Sequence, residues 1–166
     1  YRRLPNGANA AYYEQTALSC TGVAAAVAVG RPRWVGSVDL YIATDAGIPD
    51  ATLLAEVNAH LQEKREISVD LQVLAPTPQT VNISAAVQPA VGFTFEEARA
   101  EADAALRAAF TGAMLGKSVT LAFLGNLLYE LDSIQNYRFI TPSADLTGSP
   151  TVLPCLGTVA VSAWEA

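Results

Sequence analysis

The sequence predicts an α+β fold built from two related α+β halves, with mostly antiparallel sheets and helices packed against them. The chain has 166 residues, of which 51% are hydrophobic and 16% charged, enough apolar surface for a core. Helix-like and strand-like segments follow the order α-β-β-α-β and then β-α-α-β-β, without the alternation of a Rossmann-type fold. A helix–strand–strand order recurs near both ends, closing in GSVDLYIA (residues 36–43) and GTVAVSAW (157–164). We expect a first subdomain at residues 1–76 and a second at 77–166, packed together.

The first half opens with one helix and two strands. Asn9 is placed to cap a helix over residues 10–19, which Gly22 ends. Residues 23–29 place Val23, Ala25, Val27 and Val29 on one face, a period-two pattern that predicts a half-buried strand. Residues 37–44 follow after a short connection, so they are expected to form its antiparallel partner.

A second helix and a third strand complete this half. Asp50 can cap the helix, whose apolar face repeats at helical spacing. This face contains Leu53, Leu54, Val57 and Leu61. Residues 67–75 are a strand candidate, and Pro76 and Pro78 predict a bend after it, because proline interrupts the hydrogen bonds of a central strand.

The second half begins with a strand over residues 80–88, in which apolar residues alternate with polar ones. Thr94 and Glu97 form a capping box for a helix that reaches about residue 110. Its inner face consists of Ala98, Ala102, Ala105, Leu106, Ala109 and Phe110. On its outer face, Arg99 with Asp103 and Asp103 with Arg107 have the i,i+4 spacing of ion pairs.

A last helix and two strands close the chain. The stripe of the helix over residues 119–132 consists of Leu121, Leu124, Leu128 and Leu131, widened by Phe123 and Leu127. Such a wide stripe predicts a helix packed on two sides. Residues 137–140 and 157–164 are the predicted strands.

Charge and hydropathy exclude several classes of partner. The formal net charge is −6, which argues against nucleic-acid binding, because that requires a basic face. No apolar stretch approaches the roughly 20 residues that a membrane-spanning helix needs, so we expect no membrane insertion.

Reactive residues do not form a recognisable catalytic, cofactor or metal motif, so we predict no enzymatic activity and no bound cofactor. His60 is the sole histidine and is expected at the rim of a helix face. Cys20 and Cys155 lack metal-binding spacing and are expected to be buried free thiols. The acidic residues near the start of the third helix, Glu96, Glu97, Glu101 and Asp103, suit a solvated helix N-terminus.

Trp34 is the candidate interface residue. It follows the turn Arg31-Pro32-Arg33, which should hold a large apolar ring near the surface. Exposed aromatic side chains of this kind often anchor protein interfaces, although burial within the fold is an equal alternative.

Several short motifs together resemble the baseplate protein J-like family of contractile-tailed phages. They are Gly7-x-Asn9-Ala10-x-Tyr12, Ala17-Leu18, Gly22-Val23, residues 36–43, Pro49 with Leu53-Leu54, residues 73–76 (VLAP), Gly116, and Leu153-x-x-Leu156-Gly157-x-Val159. Members of this family are usually longer, so the resemblance implies that the chain corresponds to their C-terminal portion. The turn at Arg31-Pro32-Arg33 and Trp34 departs from the more glycine-rich turn of the family.

The resemblance implies a structural role in the baseplate wedge of a phage tail or a prophage-derived injection device. It implies location in the virion after synthesis in the cytoplasm of the bacterial host. The implied partners are other wedge proteins, including the lysozyme-like wedge protein and the tail protein I type, together with self-association. Two alternatives remain: a small-ligand-binding α+β regulatory module, which would need a polar cluster at the subdomain junction, and an enzyme using His60 or the acidic helix.

Overall fold

Four α-helices and six strands in two sheets make up residues 10–165, the part that the structure, a computed structural model, describes. The helices are α1 (Ala10–Leu18), α2 (Ala51–Lys64), α3 (Phe95–Ala109) and α4 (Leu121–Tyr129), with a 3-10 turn at Gly112–Met114. The strands are β1 (Ala25–Gly30), β2 (Ser37–Ala43), β3 (Asp70–Leu74), β4 (Thr77–Pro89), β5 (Ile134–Thr141) and β6 (Val152–Ala163). The α+β class and the predicted order of elements are confirmed. The predicted cap Asn9 lies outside the described residues.

The first sheet has the strand order β1-β2-β3 and is mixed. The strands β1 and β2 form an antiparallel pair, with Ala25 opposite Ala43. The strands β2 and β3 run parallel, with Ser37 opposite Asp70. Helix α2 lies between them in the chain and provides the long connection that a parallel pair requires.

The second sheet has the order β5-β4-β6 and is also mixed. The strands β4 and β5 are antiparallel. The backbone N–H of Thr158 donates to the side chain of Asn82, and the N–H of Trp164 donates to the carbonyl oxygen of Val87. Residue numbers therefore rise together along the two segments, so β4 and β6 run parallel. The expectation of mostly antiparallel sheets was therefore wrong. Each sheet has one parallel pair, β2 with β3 and β4 with β6, and the two strands of each pair are separated in the chain by other elements.

The strands β2 and β6, which include most of residues 36–43 and 157–164, are not equivalent. The strand β2 pairs with β1, the strand directly before it, whereas β6 pairs with β4 and not with β5. The last strand also begins at Val152 rather than at Gly157. Gly157 lies inside this strand. A Cβ added there would be 2.2 Å from Oδ1 of Asn82, so the absence of a side chain allows β6 to approach Asn82 of β4 closely.

The described residues divide into two compact units. The first contains the residues up to Pro78 together with Thr111–Lys117 and Ser149–Leu153, and the second contains the remainder. The division into subdomains at residues 1–76 and 77–166 stays a prediction.

The core of the first unit lies between its sheet and helices α1 and α2. Its buried residues are Tyr13, Ala17, Leu40, Ile42, Val57, Leu61 and Leu71. Ala26 and Ala28 of β1 pack against this core, and all residues of the strand except Gly30 are half-buried, as predicted. Val27 instead lies near Gly116, whose added Cβ would be 3.6 Å from it. The alanine face of β1 therefore contacts the core, and Val27 on the other face lies near Gly116. The alternation of residues alone does not indicate which face contacts the core.

Helix α2 begins as predicted. The side chain of Asp50 accepts a 2.8 Å hydrogen bond from the backbone N–H of Leu53. This bond satisfies one of the free amides of the first turn.

In the second unit, buried side chains come from β4, α3 and α4. They include Val81, Ile83, Ala85, Val87, Ala98, Ala102, Leu106, Leu124 and Leu128. The Thr94–Glu97 capping box is confirmed. Arg107 pairs with Asp103 as predicted, but Arg99 pairs with Glu96 rather than Asp103, because Glu96 lies one turn before it.

Within residues 10–165, no helix is both long and apolar enough to cross a membrane.

Candidate interaction surface

The connection between β1 and β2 has a fixed backbone. The hydroxyl of Ser37, which is buried, accepts hydrogen bonds from the backbone N–H groups of Arg33 (3.1 Å) and Trp34 (3.0 Å). It also donates to the carbonyl oxygen of Trp34 at 2.8 Å. Arg31 adopts the left-handed conformation, with φ +63°, which turns the chain at the end of β1. These contacts hold the residue predicted as an interface anchor in one position.

Arg33 connects this loop to two neighbouring strands. Its Nε and Nη2 atoms lie 3.1 and 3.0 Å from Oδ1 of Asp39 on β2. It also forms an ion pair with the carboxylate of Asp70 on β3 and donates to the backbone oxygen of that residue at 3.1 Å. The guanidinium holds the pKa of the Asp70 carboxyl below its usual value, and the same contact raises the pKa of Arg33. The charge of Arg33 is therefore paired within the fold.

The indole of Trp34 is both exposed and held in place. Its Nε1–H donates to Oδ2 of Asp70 at 3.2 Å. Its ring covers Gly36, where an added Cβ would lie 2.3 Å from Cζ3, so only glycine leaves room for the ring. The side chain nevertheless remains 54% exposed. Exposure combined with fixed orientation suits an interface anchor, because little conformational entropy is lost on binding.

Ile67 extends the exposed apolar area around Trp34, and Arg65 lies beside it. Together with neighbouring residues, the three line a shallow depression of about 220 Å³. We call these three residues the Trp34 surface. Ile67 is fully exposed, because β3 begins only at Asp70 and not at residue 67 as predicted. Its exposure depends on the position where strand pairing starts, so sequence reasoning missed it.

Arg65 supplies positive charge at this surface. Its Nη1 donates to the carbonyl oxygen of Val69 at 2.9 Å, and its Nε donates to Oε1 of Gln62 at 2.6 Å. These hydrogen-bond partners are neutral, and the carboxylate of Asp70, which lines the same depression, interacts with the guanidinium through its charge. The Trp34 surface therefore combines two exposed apolar side chains with a cation.

His60 lies beside a different depression, whose lining includes Cys20 and Glu56. Burial raises the pKa of the Cys20 thiol, which keeps it protonated and poorly nucleophilic at neutral pH. Burial likewise raises the pKa of Cys155. In the part of the chain that the structure describes, no three His, Cys, Asp or Glu side chains are grouped so that they could bind a metal ion. The arrangement around His60 does not assemble a recognisable catalytic group.

The acidic residues of α3 have structural partners. Glu97 accepts from the backbone N–H of Thr94 at 2.7 Å, within the capping box. Glu101 accepts a hydrogen bond from the buried hydroxyl of Ser133. Glu96 and Asp103 pair with arginines of the same helix. Glu96, Glu97 and Asp103 therefore stabilise α3 itself, through ion pairs and the capping box. The contact of Glu101 with Ser133 could not be predicted from the sequence.

Comparison with solved structures shows a related fold in a baseplate. One chain of the cryo-EM structure of the anti-feeding prophage (AFP) baseplate, 6-fold symmetrised, matches with a TM-score of 0.68 and 10% sequence identity. The match covers 87% of the present chain and 36% of that chain, so this chain spans about a third of its relative. A search of curated proteins gave no match.

Comparison with protein families gives a direct assignment. The family model of the baseplate J-like central domain matches residues 5–87, which is half of the chain. The model describes a central domain, whereas the motifs in the sequence pointed to a C-terminal portion, and residues 88–166 lie outside the match. The matched residues include the whole Trp34 surface, and the chain belongs to the baseplate J-like family.

Proposed function

We propose that this chain is a structural component of the baseplate wedge of a contractile phage tail or a prophage-derived injection device. The family assignment is the observation that carries this proposal. The fold supports it, because a similar fold occurs in a prophage baseplate chain. The protein acts through its surfaces, by assembly with other proteins, and performs no catalysis.

The partners in this proposal are other wedge proteins, including the lysozyme-like wedge protein and the tail protein I type, together with further copies of the chain. The site of action is the tail baseplate of the virion, after synthesis in the cytoplasm of the bacterial host. A lasting interface needs on the order of 1,200 Å² of buried surface in total, so several surfaces must contribute to assembly.

Trp34 is the proposed anchor of one such interface. Its exposed indole is positioned by Asp70 and lies beside the fully exposed Ile67 and the cationic Arg65. Tryptophan and arginine are the residue types most often found at the energetic centre of interfaces. A partner segment that places an apolar side chain and a carboxylate next to each other would complement this surface.

Co-purification of the chain with the baseplate proteins encoded beside it tests both proposals. Trp34→Ala should weaken binding to at least one partner by tenfold or more, as expected for an anchor whose loss costs about 1.4 kcal/mol or more. Tyr129→Ala is the matched control, because Tyr129 is an aromatic residue that is 78% exposed and lies at the end of α4.

The outcomes separate the two ideas. Binding that is equal in Trp34→Ala and wild type removes Trp34 from the interface but leaves the baseplate assignment intact. Failure of the wild-type chain to bind any neighbouring tail protein would count against the proposed function itself.

A further inference from the structure

The outer strands of the first sheet, β1 and β3, both have backbone groups occupied by side chains from helices. An edge strand normally presents a row of unpaired N–H and C=O groups, which can pair with a strand of another molecule. The pattern of hydrogen bonds shows which groups point outward and what occupies them.

On β1, the outward N–H of Ala28 is occupied by a helix side chain. The backbone N–H of Arg31 donates to the carbonyl oxygen of Ser37 on β2 at 2.8 Å. In an antiparallel pair alternate residues have the same orientation, so the backbone groups of Val29 and Val27 also point toward β2. Ala28 falls between these positions and points outward. Its N–H donates to Oε1 of Glu14 on α1 at 2.9 Å.

Along the β3 edge, one outward carbonyl group of the strand and one just before it are occupied. The backbone N–H of Asp70 donates to the oxygen of Gly36 at 2.9 Å, so Asp70 and alternate residues face β2, while Leu71 and Val73 point outward. Nε2 of Gln62 donates to the oxygen of Leu71 at 2.9 Å. As described above, Arg65 binds the oxygen of Val69, which precedes the strand on the same side.

The edge of β3 is otherwise accessible. A groove of about 560 Å³ follows the strand from Asp70 to Leu74, with Leu54, Ala55 and Asn58 of α2 on its other side. An added strand could enter this groove. A second copy of β3, running antiparallel, would supply the matching donors and acceptors and would form a twofold-symmetric contact.

We propose that Gln62 and Arg65 close the β3 edge against antiparallel pairing with β3 of a second copy, as Glu14 closes the edge of β1. Each occupied carbonyl is an acceptor that the second strand would otherwise use. Pairing with a second β3 strand would have to break the hydrogen bonds that Gln62 and Arg65 donate to these two carbonyl groups. The side-chain N–H groups of Gln62 and Arg65 would then need other acceptors, which makes pairing less favourable. This inference does not depend on the proposed baseplate role.

The double variant Gln62→Met/Arg65→Met removes both donors while keeping long, unbranched side chains that favour helices. We expect its dimerisation constant, measured by sedimentation equilibrium, to exceed that of wild type at least tenfold. Gln15→Met/Lys64→Met is the matched control: it removes one amide and one cation from α1 and α2, and it should associate like wild type. Circular dichroism melts at low concentration verify that each variant is folded.

Val73→Pro, added to the double variant, tests where pairing occurs. The N–H of Val73 points away from β2, so proline removes a group needed by a second strand but none used within the sheet. The triple variant should return to the association of wild type, and Val73→Pro alone should remain folded.

A folded double variant that associates like wild type would overturn the proposal. So would association that persists after Val73→Pro, because the contact would then lie elsewhere. If the double variant does not fold, the dimerisation constants of Gln62→Met and Arg65→Met are measured separately. Each single variant should show a smaller increase over wild type, and a folded single variant that associates like wild type would count against the proposal.

Discussion

The indole N–H of Trp34 donates a 3.2 Å hydrogen bond to the carboxylate of Asp70, which also pairs with Arg33. The three residues come from a loop and from a strand that lies more than thirty positions later in the chain. The orientation of an exposed ring is therefore tied to one carboxylate. This relationship makes the geometry of the Trp34 surface sensitive to the charge of Asp70.

The first prediction concerns pH. The folded state lowers the pKa of Asp70 from its ordinary 3.8, mainly through Arg33, so the ionised form is favoured by folding. Its contribution to stability is fully present above the unfolded pKa and is lost as pH falls through the lower, folded pKa. The Tm of wild type should exceed that of Asp70→Asn by a constant amount between about pH 7 and pH 5, and the difference should close below about pH 4. A difference that persists unchanged to pH 2 would contradict the role of the ion pair.

The second prediction concerns the core of the second unit. Leu124 is fully buried on α4. Leu124→Ala should lower the free energy of unfolding by about 2–5 kcal/mol, because it loses burial and leaves a cavity. Urea denaturation measures this change. Tyr129→Ala, at an exposed position of the same helix, should cost less than about 1 kcal/mol. A loss below about 1 kcal/mol for Leu124→Ala would mean that this face is not a packed core.

The third prediction concerns the segment Thr111–Lys117 in the first unit. A Cβ added to Gly112 would lie 1.8 Å from the carbonyl oxygen of Thr44, so Gly112→Ala forces backbone atoms apart. We expect a loss of at least about 2 kcal/mol in the free energy of unfolding, as for severe overpacking. Gly30→Ala is the control, because an added Cβ there meets no atom within 4 Å. Equal stability of the two variants in denaturant would show that the segment does not contact Thr44 closely.

The fourth prediction concerns activity. The protein should not turn over broad hydrolase or nucleotide substrates, because the surroundings of His60 do not form a recognisable catalytic group. Assays with purified wild type and His60→Ala should give the same background rate. Turnover that His60→Ala abolishes would refute the proposal that the chain performs no catalysis.

Local sequence determined the kind and order of the elements and the starts of helices α2 and α3. Asp50 caps α2, and Thr94 with Glu97 caps α3, because the groups that satisfy a helix terminus lie within three residues of each other. The alternation over residues 80–88 likewise predicted β4, whose Val81, Ile83, Ala85 and Val87 are buried. The family assignment also agrees with the resemblance found in the sequence motifs.

Tertiary structure decided strand pairing and the composition of the candidate surface. The strand β6 pairs with β4 rather than β5, and β3 starts late enough to leave Ile67 exposed. The alanine face of β1 packs against the main core, although residues on both faces of the strand are half-buried, so the alternation alone does not reveal which face meets that core. Trp34 could be chosen from the sequence, but its bond to Asp70 could not, because that contact joins residues far apart in the chain. Such contacts depend on which strands become neighbours, and local periodicity carries no information about that choice.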